Sequence, residues 1–193
     1  MSRAEQKEQR RAALLQGAVA VLAEHGLEGF TTGRIAQHAG IAQSGLYKYW
    51  PDRAAVLHEV AEHIGDRVLR SIRQARLAAG SGPEHLQAAF AGGLTAILAE
   101  EQMVRVFLRF RREPGPLGQV FRGLVERAVD ELLTDMVNMG LVQADDSGGR
   151  RLARYTVALC IGALEAVLDD RIPDVNQVAD DLARIALGVL ATR

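Results

Sequence analysis

Residues 30–53, FTTGRIAQHAGIAQSGLYKYWPDR, constrain the fold more than any other stretch of this 193-residue chain. Two short helix-sized segments are separated only by Ala39-Gly40-Ile41-Ala42, and Pro51 closes the second. Two helices joined by so short a turn must cross steeply. Gly40 can take a positive φ without steric penalty. Ile41 is apolar where a side chain would plug the angle between the helices, and Ala36 is small where they approach. Ile35 and Leu46 are expected in the shared core, with Trp50 as a core residue capping the first and fourth helices.

Helical period continues through nearly all the rest, and alternating β-branched runs are absent. The expected helices are Ala4–Glu24, a second capped by Thr31 or Thr32 and stopping at Gly40, Gln43–Tyr49, Arg53–Ala78, Glu84–Glu100, Gln102–Arg112, Leu117–Asn138, Arg150–Asp169 and Asp174–Ala191. Gly26 is placed as a left-handed cap after the first. Breaks are expected at Gly80-Ser81-Gly82-Pro83, Glu113-Pro114-Gly115-Pro116, Asp145–Gly149 and Ile172-Pro173. The fold class is therefore all-α with about nine helices, in which residues 1–53 form a three-helix head and residues 54–193 a larger helical body.

Net charge is −1, so the molecule as a whole is no polycation, but residues 1–53 carry +2 and the body −3. A mildly basic head suits a local phosphate contact. Cys160 is the only cysteine. Its setting, VALCIGAL, reads as core rather than as a reactive thiol, which needs electropositive, partly exposed surroundings. The charged start, Arg3 to Arg11, has no signal-peptide core. No uninterrupted apolar run approaches the roughly 18 residues of a membrane span. A cytoplasmic protein without a membrane association is expected.

Enzyme chemistry has no footing in the sequence. There is no Ser-His-Asp spacing, no HExxH, no phosphate loop and no Cys/His cluster. His58 and His63 lie five apart, off a common helical face. No catalytic residue, metal or cofactor is assigned. The head offers more. A helix starting Gln43, Ser44, Gly45 can enter a major groove: Gln pairs bidentately with adenine, Ser donates or accepts, and Gly45 leaves room for close approach. Tyr47, Lys48 and Tyr49 sit further along, where hydroxyls and an ammonium reach phosphates. Thr32 and Arg53 flank them as further phosphate contacts. On the residues alone, a helical interaction module without DNA competes with this reading.

Over Leu14–Leu57 the chain resembles the TetR family of bacterial transcriptional regulators. The segments that carry the resemblance are AEHGLEGF, TTGRIAQHAG and IAQSGLYKYWPDRAAVL, ending in the Gly-Leu-Tyr, aromatic and Asp-Arg pattern. The resemblance implies a DNA-binding head in which Gln43, Ser44 and Gly45 face the groove. Tyr47, Lys48 and Tyr49 then become phosphate contacts, with Thr32 and Arg53 as flanking anchors. Three departures thin the direct readout: Ala42 where a capping Ser is frequent, Gly33 where a long polar side chain occurs, and Gly45 for a frequent Thr. More weight then falls on DNA shape.

One recognition helix reads few base pairs, so a homodimer on a palindromic double-stranded operator is expected. The eighth and ninth segments suit its interface. LARYTVALCIGALEAVLDD is small or apolar nearly all round, and Val178, Leu182, Ile185, Ala186, Val189 and Leu190 follow. Phe90, Leu94, Met103, Phe107, Phe110 and Glu165 are candidates for lining a pocket for a small, largely apolar effector. Arg111 and Arg112 are expected in solvent. The resemblance implies a ligand-responsive regulator, by the family's usual mode a repressor.

Overall fold

The computed structural model describes residues 2–80, 82, 85–143, 147–169, 171 and 174–191, without the side chains of residues 3 and 189–191. These residues form helices α1 (Arg3–Gly29), α2 (Thr32–His38), α3 (Gln43–Leu46), α4 (Arg53–Ala79), α5 (Leu86–Leu98), α6 (Glu101–Phe110), α7 (Pro116–Asn138), α8 (Ser147–Leu168) and α9 (Val175–Ala191), and no strand. The all-α reading stands, with nine helices among the described residues. The expected breaks at Ser81-Gly82-Pro83 and Ile172-Pro173, and the start of the Asp145–Gly149 loop, fall wholly or partly outside them, as do the side chains of Val189 and Leu190.

Local chemistry moves several boundaries. α1 starts before Ala4, because Ser2 and Glu5 form a capping box: Glu5 N–H donates to Ser2 Oγ at 3.2 Å and Ser2 N–H to Glu5 Oε2 at 2.6 Å. It also runs past Glu24. Gly26 does adopt a positive φ of 64°, but the chain then makes one more turn to Gly29, so the expected cap is a kink. Thr31 caps α2, its Oγ1 accepting from Arg34 N–H at 3.2 Å. The helix ends in a Schellman motif. Gly40 N–H donates to the Gln37 carbonyl, Ile41 N–H to that of Ala36, and Gly40 holds φ 65°.

By packing, the chain divides into two compact units. One comprises residues 1–66 and 102–121, the other residues 67–101 and 122–193. Helix α4 contributes its first half to the first unit and its second half to the other. In the first unit Leu14, Ala18, Leu22, Phe30, Ile35, Leu46, Trp50, Val56, Val60 and Ile64 are buried. So are Val104, Val106, Phe107 and Phe110 of α6, and the Phe107 and Phe121 rings meet edge to face at 5.5 Å. Arg111 departs from expectation. It is buried, because its guanidinium turns back and donates to the Leu108 carbonyl at 2.5 Å, while Arg112 is exposed.

In the second unit α5 packs chiefly on α9, which also meets α8. Val129 and Met136 of α7 and Leu152 and Ala153 of α8 form a buried cluster ringed by Leu132, Leu133, Leu141, Val142 and Val157. Ion pairs border α7 on two sides. Arg73 and Arg76 of α4 reach Glu131, Arg76 also reaches Asp135, and Arg150 and Arg154 of α8 reach Glu126 and Asp130. Cys160 is half-buried, and burial pushes its thiol up to about 12. At neutral pH it is a protonated packing group, as its apolar surroundings suggest.

The start of α4 is tied to the end of α1. Asp52 Oδ1 accepts from Ala55 N–H at 2.8 Å, capping α4. Arg53 sends Nε to the Phe30 carbonyl and Nη2 to the Leu27 carbonyl, each at 2.5 Å. Those carbonyls lie at the end of α1, where helical partners run out, and that of Leu27 also accepts from Phe30 N–H at 3.4 Å. Arg53→Ala is expected to lower the unfolding free energy by about 1–2 kcal/mol, read from urea midpoints. Arg53→Lys should recover little, since an ammonium lacks the two-pronged fork. A change within about 0.5 kcal/mol for Arg53→Ala, as at an ordinary surface site, refutes the tie. Separately, Cys160 of the native protein should resist an aromatic disulfide reagent at neutral pH and react promptly in denaturant. Equal rates in both would show that the thiol is not shielded.

Candidate nucleic-acid interface

α3 is a short rod held from behind. Leu46 is fully buried beneath it, beside the fully buried Ile35 and nearly buried Ala36 of α2. Beyond Leu46 the chain tightens instead of continuing to Tyr49. Lys48 N–H donates to the Gly45 carbonyl and Tyr49 N–H to that of Leu46, both i→i+3 bonds. Pro51 accounts for this stop, since it can neither donate to a further turn nor let Trp50 sit comfortably in helical geometry. Ala42 stands at the N-cap without a side-chain hydrogen bond, as expected of that departure.

The outward side carries the polar residues. Gln43, Ser44 and Lys48 are exposed, Tyr47 is 50% exposed, and Gly45 and Tyr49 are half-buried. A methyl group on Gly45 would meet only Ile41 Cδ1, at 3.5 Å, so the bare α3 surface is not forced by packing. Thr32, Gln43 and Tyr47 gather although Thr32 stands on α2 and the other two on α3 and its C-cap. Gln43 Nε2 donates to Thr32 Oγ1 at 2.8 Å, and Thr32 Oγ1 lies 3.5 Å from the Tyr47 hydroxyl. The start of α2 and the start of α3 thus share one polar patch. Gly33 leaves that patch open, for a methyl group there would stand 3.9 Å from Gln43 Oε1.

Arg53 stands apart from this group. Two of its nitrogens are occupied by the Phe30 and Leu27 carbonyls, and its guanidinium lies 6.0 Å from the Phe30 ring centroid. What it contributes in the structure is anchorage of α4.

The sequence reading overlooked Glu59 and Arg11. Glu59 Oε2 accepts from Trp50 Nε1 at 2.5 Å and from Arg11 Nη2 at 2.6 Å, and Arg11 lies over the Trp50 ring at 6.0 Å. Trp50 is core, as expected, only 3% exposed. The sole hint of its partner was a carboxylate nine residues on. Arg11, 48 residues from Glu59, had no local signal.

The candidate pocket residues are distributed over both units. Met103, Phe107 and Phe110 are buried in the first; Leu94 is buried, and Phe90 and Glu165 half-buried, in the second. In the first unit an open cleft of about 310 Å³ is lined by Val21, His25, Arg34, Gln37 and His38. It is too polar and too open to resemble an apolar small-molecule site. Among the described residues no group of three or more His, Cys, Asp or Glu is placed to hold a metal ion. No helix there is long and apolar enough to cross a membrane.

Residues 14–60 match the model of the bacterial regulatory proteins, tetR family. Nucleoid occlusion factor SlmA of Haemophilus influenzae is 35% identical over 49 residues, which are 25% of this chain and 22% of that protein. SlmA of Idiomarina loihiensis is 32% identical over 69 residues, 36% of this chain and 35% of that one. The chain thus aligns with only about a fifth to a third of the length of these curated relatives. The fold likeness is far wider. A TetR-like transcriptional regulator from Rhodococcus sp. RHA1 superposes with a TM-score of 0.73 at 23% identity, covering 95% of this chain and 97% of that one. The fatty acid degradation regulator FadR from Bacillus halodurans does so with 0.75 at 19%, covering 92% and 98%. Residues 14–60 thus carry a helix-turn-helix of the tetR family type, and the chain has a TetR-like fold along nearly its whole length.

Proposed function

We propose that the chain is a ligand-responsive repressor that binds a palindromic operator as a homodimer and is released by a small, largely apolar effector. In this reading residues 1–53 are the DNA-binding head and residues 54–193 the effector-binding and dimerisation body. The observation that carries it is the patch of exposed Gln43, Ser44 and Tyr47 around half-buried Thr32, with Lys48 beside it, standing on a buried Leu46. Polar donors and a cation outside, with apolar support behind, are what a groove-reading helix requires.

Gln43 would read a base, leaving Thr32 for an adenine edge. Ser44 would add a second polar contact, while Gly45 lets the backbone come close. Tyr47, Lys48, Tyr49 and Thr32 would hold phosphates. Arg53 would reach a phosphate only by giving up a carbonyl or with its remaining nitrogen, so its share is the smallest of the set.

Dimerisation through α8 and α9 is supported by what they leave uncovered. Of the six large hydrophobic residues standing exposed among the described residues, Tyr155, Leu159, Ile185 and Leu187 are on these two helices. α8 buries Leu152, Ala153, Thr156 and Leu164 on one face. It exposes Tyr155, Ala158, Leu159 and Gly162 on another. Exposed apolar residues grouped in this way mark an interaction surface. A twofold dimer would offer two heads to half-sites about 34–36 Å apart, or a multiple of that. The effector would act by preferring a conformer whose heads are wrongly spaced. α4, one continuous helix shared by both units, is the natural lever. An apolar effector accords with the buried apolar side chains inside each unit, such as Phe107 in the first and Leu94 in the second.

Selection of duplexes from a random pool by the purified protein should return a palindrome. Binding should weaken steeply with salt, since phosphate contacts release counterions. Tyr47→Ala is expected to weaken binding to all duplexes alike, and Gln43→Ala to relax choice at one position per half-site by about 1–3 kcal/mol. Failure to retain any duplex at low salt would instead make the chain a helical interaction module. Leu159→Glu, read by sedimentation, should convert dimer to monomer and abolish operator binding; a dimer that survives it lies elsewhere.

A further inference from the structure

Three elements of the first unit meet on a single atom. Glu59 Oε2, on the second turn of α4, receives the indole N–H of Trp50 at 2.5 Å and a guanidinium N–H of Arg11, on α1, at 2.6 Å. Arg11 also covers the Trp50 ring, at 6.0 Å from its centroid. Both bonds have a charged partner, and the site is only partly open to water, with the Glu59 side chain 25% exposed and that of Arg11 39%. Such bonds are stronger and more directional than neutral ones on an open surface.

Trp50 is the end of the recognition segment. Its N–H bonds to the Leu46 carbonyl, and Tyr47, Lys48 and Tyr49 are the turn between the two. Any shift of the indole is passed to Tyr47 and Lys48 within three residues. A rod of four residues has no internal means of resisting that shift. Base reading tolerates misplacement of only about 0.5 Å or 10–20°. Apolar contact on Leu46 holds the rod down, but apolar contact is non-directional and leaves its tilt poorly determined. The Glu59 bond supplies the missing direction.

We propose that Glu59 is a positioning residue for DNA recognition: by holding Trp50 Nε1 on the carboxylate oxygen that also binds Arg11, it sets the angle at which α3 is presented to DNA. This rests on the reading of α3 as a DNA-contacting helix and concerns a residue that itself touches no DNA. It also makes the first two turns of α4 the place where a movement of that helix would reach α3.

Trp50 is the only tryptophan in the chain, so its emission reports on this contact alone. The test uses full-length protein, a duplex selected from a random pool by the wild type, and a random-sequence duplex of the same length. Glu59→Ala should remain helical with a cooperative melt, while its Trp50 emission becomes more readily quenched by acrylamide. Its affinity for the selected duplex should fall about tenfold, or ~1.4 kcal/mol. On the random duplex, where phosphate contacts dominate, it should fall less than about twofold. Glu59→Gln, which keeps an oxygen for Trp50 Nε1, should recover most of the loss. If Glu59→Ala does not fold, Trp50→Phe, which keeps a ring but removes the donor, should give the same selective loss. Unchanged affinity for the selected duplex in the folded variants overturns the proposal. So does an equal loss on both duplexes, which would mark a merely structural role, or a Glu59→Gln protein no better than Glu59→Ala. A wild type that selects no duplex overturns the DNA reading itself, an outcome separable from a wild type that selects while its variants match it.

Discussion

A four-residue helix cannot hold its own shape, and the head of this protein depends on what holds α3 from outside. Burial of Leu46, on a helix packed against α2 with its buried Ile35 and Ala36, is the principal hold. Removing a buried leucine side chain from such a position typically costs about 2–5 kcal/mol, more than any single surface contact of the head could restore. Around that contact each neighbouring element is fastened by a directional bond: Thr31 starts α2, Asp52 starts α4, and Arg53 closes the carbonyls at the end of α1. Apolar burial supplies the strength, and the polar bonds select one geometry among the many that burial alone would permit.

The same division of labour explains how the outward face can be sparse. Because α3 is held from behind, its front needs no packing role, and Gln43, Ser44 and Tyr47 are free to be chosen for what they meet in solution. Gln43 and Tyr47 rest on Thr32. That arrangement satisfies the polar groups with one another, so an outside partner would exchange one hydrogen bond for another, at little net cost. α8 and α9 show the opposite balance. Their exposed Tyr155, Leu159, Ile185 and Leu187 have no polar role and remain uncovered within one chain. Exposed apolar residues of this kind mark interaction surfaces.

Much of this was legible from residue order because the information is local. The Gly40 turn, the Thr31 cap, the core positions of Ile35, Leu46 and Trp50, and the helical period of the remaining segments depend on neighbours within about one or two helical turns. What was misjudged was also local in part. The Ser2–Glu5 box extends α1 backwards, and Gly26 kinks the helix where an end is expected from the sequence, since a single residue of positive φ can be followed by one more helical turn. Charge alone places Arg111 in solvent, whereas its guanidinium folds back on the Leu108 carbonyl and lets the residue bury.

The order of residues by itself determined that the chain is all-helical, where its helix-turn-helix lies, and which side chains α3 has available, because backbone preference and apolar period act over short spans. Only the tertiary structure decided how those side chains are held. Arg53 turned out to fasten α4 to the end of α1. Arg11 and Glu59, 48 residues apart, turned out to share Trp50. The physical reason is that hydrogen bonds act over about 3 Å, and which distant groups come within that range is set by how the helices pack.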